Sequence, residues 1–277
     1  MDKNDANQKT RESVILSKEP KKQTGAVTFL DVLGWKGIWR DRDWEDRRNP
    51  IESLDNLISK IIKEGQNLAK PVEFALVDKN NRGASNGVEV LSISDTIVLL
   101  TPGPPSVTID IHSMLSAFAL EEGLKDGLML RGAISYGEFD RKKNIMLGSA
   151  VDEAASWHES TDWIGVIFTP SAKFAMQGKC PRKCIEYPKI PFKKSITGLD
   201  WCVDWHYGND MEQEIQKLYQ VFLKRSPHML DVAPKYLNTI EFFKWRQNQR
   251  DKQLSINRSG IENNDVKMKC SIVNTVV

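Results

Sequence analysis

Residues 27–37 read VTFLDVLGWKG, an apolar run of Val27, Phe29, Leu30, Val32 and Leu33 with a carboxylate, Asp31, in its middle. The composition is that of a buried strand. A buried carboxylate is costly unless it is paired, hydrogen-bonded or bound to a metal. Taken alone, such an Asp reads as a strand-end residue that reaches solvent or caps the next turn. The residues after it change that reading. Gly34 and Gly37 allow a tight turn, and Trp35 to Arg40 can start a helix. Asp31 therefore stands where a strand runs into a glycine turn, whose backbone N–H groups make an anion site. A carboxylate beside an anion site points to a cation between them, as in metal–phosphate chemistry.

Residues 25–33 as a whole read as a strand, and a helix begins after Pro50, where Ile51, Leu54, Leu57, Ile58, Ile61 and Ile62 recur at helical spacing. VEFALVD (72–78) alternates as a strand, NNRGASNG (80–87) is a turn cluster, and VEVLSISDTIVLLT (88–101) reads as the long partner of a hairpin. PGPP (102–105) breaks the chain. Asp110 can cap a second helix carrying Ile111, Met114, Leu115 and Phe118, closed by Gly123. Strands are expected at 128–139 and 145–150, joined by the basic turn DRKKN, then a helix at 151–159 and a strand at 164–169. Two amphipathic helices are expected at about 211–224 and 234–249. Between residues 25 and 139 the order is β-α-β-β-α-β, the ferredoxin-like order of an α+β fold.

That order makes the first strand a neighbour of the one carrying a second acid, Asp95, in LSISDTIVLL. Alternation puts Ile93, Asp95 and Ile97 on one face. Asp31 and Asp95 are then expected to face each other across adjacent strands, at a Cβ spacing near ~5 Å. Two carboxylates so placed repel unless a divalent cation, or two, lies between them. Two metals held by two carboxylates suit in-line phosphoryl transfer. Two independently salt-bridged acids are the plainer alternative.

Bulk properties limit the other possibilities. The 277 residues are 40% hydrophobic and 27% charged, a soluble globular balance. The net charge of +2 implies no strong field for nucleic acid. No apolar run approaches the roughly 20 residues of a membrane span, and the polar N-terminus has no signal-peptide core. These features read as a cytoplasmic protein, with Cys180, Cys184, Cys202 and Cys270 as free thiols. The expected organisation is a polar, disordered arm at 1–24, one domain with C-terminal helices at 25–255, and a tail at 256–277 able to hold a short strand.

FLDVLGWKG, SISDTIVLL, RGAISYGEF and LGSAVDEAASWHE, in this order and at these separations, resemble the class III nucleotidyl cyclase domain. The nearer resemblance is to the short bacterial pyrimidine cyclases of Pycsar anti-phage systems, over roughly residues 25–205. The resemblance implies a ferredoxin-like core with a C-terminal helical extension, working as a head-to-tail homodimer with composite sites. It implies Asp31 and Asp95 as catalytic, metal-binding residues for two Mg2+ or Mn2+ ions. Gly34, Trp35 and Lys36 match the turn that holds the triphosphate. The implied reaction is attack of the ribose 3′-hydroxyl on the α-phosphate with loss of pyrophosphate. The implied partners are a nucleoside triphosphate and a separate effector that senses the cyclic product, without nucleic acid or membrane insertion.

The chain departs from the purine-cyclase pattern elsewhere. Asp152 and Ser156 occupy positions where that family places its transition-state Asn and Arg, leaving Arg141, Lys142 and Lys143 as candidate cations. Leu91 and Ile145 stand where purine cyclases read the base, which points toward a pyrimidine, UTP ahead of CTP, with Trp35 or Trp39 stacking on it. A purine cyclase with atypical base contacts and a catalytically degenerate nucleotide-binding domain are the alternatives. The spacing of Cys180, Cys184, Cys202 and His206 invites zinc, but Cys202 and His206 four apart in a strand would lie about 13 Å apart. His158 reads as a helix-surface histidine, and His112 and His228 lack partner motifs.

Overall fold

The structure is a computed structural model describing residues 23–35, 49–76, 87–143, 145–207, 211–224 and 228–252. The chain divides into two compact units, Met1–Trp205 and His206–Val277. No described helix is long and apolar enough to cross a membrane.

The first unit is built on one mixed sheet. Its elements are β1 (Gln23–Val32), α1 (Pro50–Leu76), β2 (Glu89–Ile93), β3 (Thr96–Pro102), α2 (Pro105–Lys125), β4 (Leu130–Lys142), β5 (Ile145–Leu147), α3 (Ser149–Trp157), β6 (Gly165–Phe168), α4 (Pro170–Ala175), β7 (Cys184–Glu186) and β8 (Trp201–Val203). The strand order is β2-β3-β1-β4-β6-β8-β7, with β5 paired to β4. The first four strands are antiparallel neighbours and β6 joins β4 in parallel. This is the expected β-α-β-β-α-β core, extended on the β4 side.

The two faces of β1 serve different helices. Val27 joins Val98, Leu100, Phe139, Ala150, Val151 and Ala154 in a core cluster under α3, with Phe29, Leu91 and Met146 packed against it. Thr28 points the other way, toward α2, where His112 is fully buried. His112 Nδ1 lies 2.7 Å from Thr28 Oγ1, and Nε2 lies 2.9 Å from Thr101 Oγ1. A neutral imidazole has one donor and one acceptor, and two hydroxyls can answer either arrangement. The histidine thus ties α2 to β1 and β3 at once. Between β1 and β4 the approach is close at Gly132, where a Cβ would stand 2.2 Å from the Phe29 carbonyl oxygen.

Several expectations need correction. Residues 72–76 continue α1 as helix rather than forming a strand, and 77–78 lie outside the described residues. The missing strand is supplied by 88–101, which folds back on itself as β2 and β3 around a turn at Ser94 and Asp95, with Ser94 at φ 57°. Arg141 and Lys142 end β4 rather than sitting in its turn, and the strand expected at 145–150 stops at Leu147. Strand character in 197–205 is confined to Trp201–Val203. Of the polar arm, 1–22 lie outside the described residues, whereas Gln23 and Thr24 open β1.

In the second unit α5 (Met211–Leu223) and α6 (233–252) match the two expected amphipathic helices. Phe222 and Tyr236 stack at 4.6 Å. The buried Glu214 accepts the Tyr207 N–H at 2.8 Å and lies 3.4 Å from Arg246 Nη2.

Burial pushes the His112 pKa down to about 3, so the folded chain holds this ring neutral. The unfolded chain binds its proton near pH 6.5, and stability is lost as pH falls from there toward 3, by at most about 1.4 kcal/mol per pH unit. Urea unfolding at pH 7 and pH 5 should show this loss in the natural chain and a smaller one in His112→Gln. An identical loss in both would remove His112 as its source.

Candidate active site at the end of the central strand

Asp31 closes β1 on the α3 face of the sheet, and register places it opposite Thr96 of β3 and Arg131 of β4. Its side chain is 9% exposed and that of Arg131 is 8%. Arg131 Nε donates to Asp31 Oδ2 at 3.0 Å. The rest of the guanidinium reaches the segment just past α3: Nη1 donates to the Thr161 carbonyl at 3.3 Å and the Glu159 carbonyl at 3.5 Å, and Nη2 lies 3.5 Å from Glu159 Oε2. An arginine fork suits this role, because one rigid planar group answers several acceptors.

His158 and Glu159 arrive because α3 runs back along the sheet toward Asp31. His158 caps α3 and its backbone N–H bonds the Ala154 carbonyl. Its Nδ1 lies 2.6 Å from the Ala155 carbonyl oxygen, an acceptor that calls for a proton on Nδ1, and its Nε2 lies 3.9 Å from Glu159 Oε1. The ring rests against Phe29 at 5.7 Å. Asp31, His158 and Glu159 offer ligand atoms within 4.8 Å of one another.

Asp95 reaches the same corner by another route than expected. It belongs to the β2–β3 turn, so it stands diagonal to Asp31 rather than opposite it. Its carbonyl accepts the Val32 N–H at 3.1 Å, fixing the turn to the end of β1. Burial raises the Asp31 pKa, Arg131 opposes that shift, and the charges of Glu159 and Asp95 add to it. Asp31 and Glu159 share the Arg131 guanidinium and the charge of Asp95 also acts on Asp31, an excess of negative charge. Oxygen donors with surplus negative charge fit Mg2+ or Mn2+.

The other expected site residues are spread more widely. Gly34, at φ 79°, makes the turn after β1, and the Trp35 N–H bonds the Val32 carbonyl at 3.4 Å. Lys36 and Trp39 lie outside the described residues. Leu91 is half-buried against the core cluster under α3, so packing accounts for its apolar character. Ile145 is 71% exposed, and Asp152 is exposed in the first turn of α3. Arg141 is ion-paired to Glu89, and Lys142 is exposed. Arg141 sits ten residues beyond Arg131 on β4, roughly 33 Å along an extended strand. One chain does not bring Arg141, Lys142 or Ile145 to Asp31.

Sequence patterns assign no role to Arg131, His158 or Glu159 at this corner. Arg131 carries the same signal as Asp31, a charge inside an apolar strand. His158 has the sequence setting of a helix-surface residue, yet its side chain is 17% exposed and turned to the site. No zinc site forms among the described cysteines: Cys180 and Cys184 are neighbours, Cys202 is buried on β8, and His206 bonds Arg246.

A divalent cation at this corner should stabilise the fold by mass action. Millimolar Mn2+ is expected to raise the melting temperature of the natural chain by a few degrees and to leave Asp31→Ala unmoved. An equal rise in both would take the cation away from Asp31.

No protein-family profile matches the chain, and a search of curated proteins also finds no match. Among solved structures, the adenylyl cyclase CyaB from P. aeruginosa is 13% identical, with 67% of this chain and 96% of that one covered at a TM-score of 0.39. The catalytic core of a rhodopsin-guanylyl cyclase with converted specificity, in complex with ATPalphaS, is 13% identical over 67% and 99%, TM-score 0.46. The guanylate cyclase domain of RhGC from Catenaria anguillulae, in complex with GTP, is 12% identical over 66% and 97%, TM-score 0.44. Likeness at this level does not extend to chemistry.

Proposed function

We propose that this chain is a metal-dependent nucleotidyl cyclase that converts a pyrimidine nucleoside triphosphate, UTP ahead of CTP, to its 3′,5′-cyclic nucleotide and pyrophosphate. The observation that carries the reading is the meeting, at one end of β1, of Asp31 with its buried Arg131 partner, the Asp95 turn and the Gly34 turn. A sheet that gathers acids, a glycine turn and an arginine is suited to a polyphosphate and its cations. Asp31 and Asp95 would hold one or two Mg2+ or Mn2+ ions. When bound, the metal supplies charge neutralisation at the α-phosphate and lowers the pKa of the attacking hydroxyl. The chain's own groups would do the placing: the Gly34 turn brings the backbone past β1 beside Asp31, and Arg131 holds the Asp31 carboxylate in place through its 3.0 Å bond.

The separation of Arg141, Lys142 and Ile145 from Asp31 supports a composite site in a head-to-tail homodimer, with the 141–156 segment supplied by a second copy. A role as a second-messenger synthase in bacterial anti-phage defence, read by a separate effector, rests on the sequence resemblance. A specific observation favours a second reading, a degenerate nucleotide-binding domain. The Ser156 hydroxyl is spent on its own helix, donating to the Glu153 carbonyl at 2.9 Å, and Arg141 is spent on Glu89. Neither offers a cation to an α-phosphate.

Incubation with each of ATP, GTP, CTP and UTP plus Mn2+, with products identified by mass spectrometry, decides among these. The pyrimidine preference rests on the sequence resemblance, and a base edge left unpaired in a closed site would make UTP turnover exceed ATP turnover by roughly 10–100-fold. Asp31→Ala and Asp95→Ala should each lose the product. ATP turnover equal to or above that of UTP would support a purine cyclase, and no product from any nucleotide would support the binding domain.

Mixing two inactive variants tests the composite site separately. Asp31→Ala combined with an inactive variant of the 141–156 segment should recover part of the activity through mixed dimers. Absence of recovery, or full activity from a monomer, would place the whole site in one chain.

A further inference from the structure

Residues 179–185 read KCPRKCI, a pair of cysteines with three residues between them, the first of which is Pro181. Proline fixes φ where the chain turns, and the Cys184 N–H bonds the Pro181 carbonyl at 3.1 Å, closing the loop on itself. The two sulfurs lie 2.6 Å apart. The loop is held from three sides. Lys179 N–H bonds the Met176 carbonyl at 2.9 Å, just past α4. Cys184 opens β7 and is paired with Val203 of β8. Between the cysteines, the Arg182 N–H donates to Asp110 Oδ1 of α2 at 2.7 Å while its guanidinium bonds Oδ2. The approach of the thiols is therefore built into the frame and does not depend on a wandering loop.

Exposure divides the pair: Cys180 is exposed and Cys184 is half-buried. The third described cysteine, Cys202, is fully buried on β8, 3.7 Å from the Ile185 carbonyl oxygen. Among the described residues these sulfurs join no metal-competent cluster.

We propose that Cys180 and Cys184 are a redox modification site, closed to an intramolecular disulfide by exchange with a small-molecule disulfide. The Cys180 thiolate attacks one sulfur of the reagent R–S–S–R, the S–S bond breaks, and one thiol leaves. The Cys184 thiolate then attacks the Cys180 sulfur of the mixed disulfide and expels the second thiol. The two cysteines lose two electrons and two protons, and the reagent is reduced to two thiols, so the step balances. Burial raises the pKa of both thiols, so exchange quickens as the pH rises above neutrality. Closing the loop fastens the β7–β8 edge of the sheet beside the Arg182–Asp110 contact, at a site separate from the Asp31 corner.

The test uses the full chain equilibrated with glutathione disulfide at pH 8, quenched by alkylation and mapped by peptide mass spectrometry. The expected result is a link between the peptides carrying Cys180 and Cys184, reversed by dithiothreitol, with Cys202 unmodified. Cys184→Ser should stop at a glutathione adduct on Cys180, and Cys180→Ser should slow modification of Cys184 at least tenfold. Circular dichroism of both variants should match the natural chain. Independent adducts on both cysteines, a link to Cys202 or to a second chain, or both thiols still alkylated at equilibrium would each overturn the proposal.

Discussion

A carboxylate held beneath the surface at the end of a central strand is the constraint on which this corner of the molecule depends. Burial works against the charge on Asp31, and Arg131 only partly offsets it. Breaking such a pair by removing one member leaves a buried charge alone, at a cost of about 3–5 kcal/mol. The neighbouring elements are arranged around that tension. β4 supplies the guanidinium at the matching register, α3 ends where the residues just past it can share that group, and the β2–β3 turn adds a further acid instead of relieving the first. A fold selected for stability alone would have little reason to collect acids there.

The sheet separates this tension from the parts that hold the fold together. On the α2 face, the buried contact from helix to β1 and β3 at His112 is neutral and satisfied by two hydroxyls. On the α3 face the apolar cluster around Val27, Val98 and Leu100 gives way, toward the end of β1, to Phe29 and then Asp31. The change from packing to charge occurs along a single strand, one alternate residue at a time, which is how a rigid scaffold delivers charged groups with little freedom of position.

Much of this is legible in the sequence because it lies in period and punctuation. Asp31 stands out as a charge in an apolar run, Gly34 marks the turn, and the β-α-β-β-α-β order emerges even though one strand falls in a different place. That displacement has a physical origin. Val72, Phe74 and Leu76 alternate over too few residues to distinguish a strand from the end of a helix already under way from Pro50. The Ser94–Asp95 turn lacks glycine and proline; Ser94 adopts a positive φ that its residue type does not announce. Strand alternation therefore brings Asp95 to the right corner for an incomplete reason. Arg131, His158 and Glu159 are harder to read, since their meeting depends on the course of α3 back along the sheet, a long-range fact that no local pattern encodes.

Gly132 sits next to Arg131, and its missing side chain is what lets β4 lie against the Phe29 carbonyl. The ion pair one residue away inherits its length from that close approach. A bulkier residue at 132 would move two backbones apart and carry the guanidinium with them, altering the charged corner without replacing any charged group. In a screen for inactive variants such a change would score beside the acids themselves, although its origin would be architectural: the electrostatics of this site are set in part by a residue that has no side chain at all.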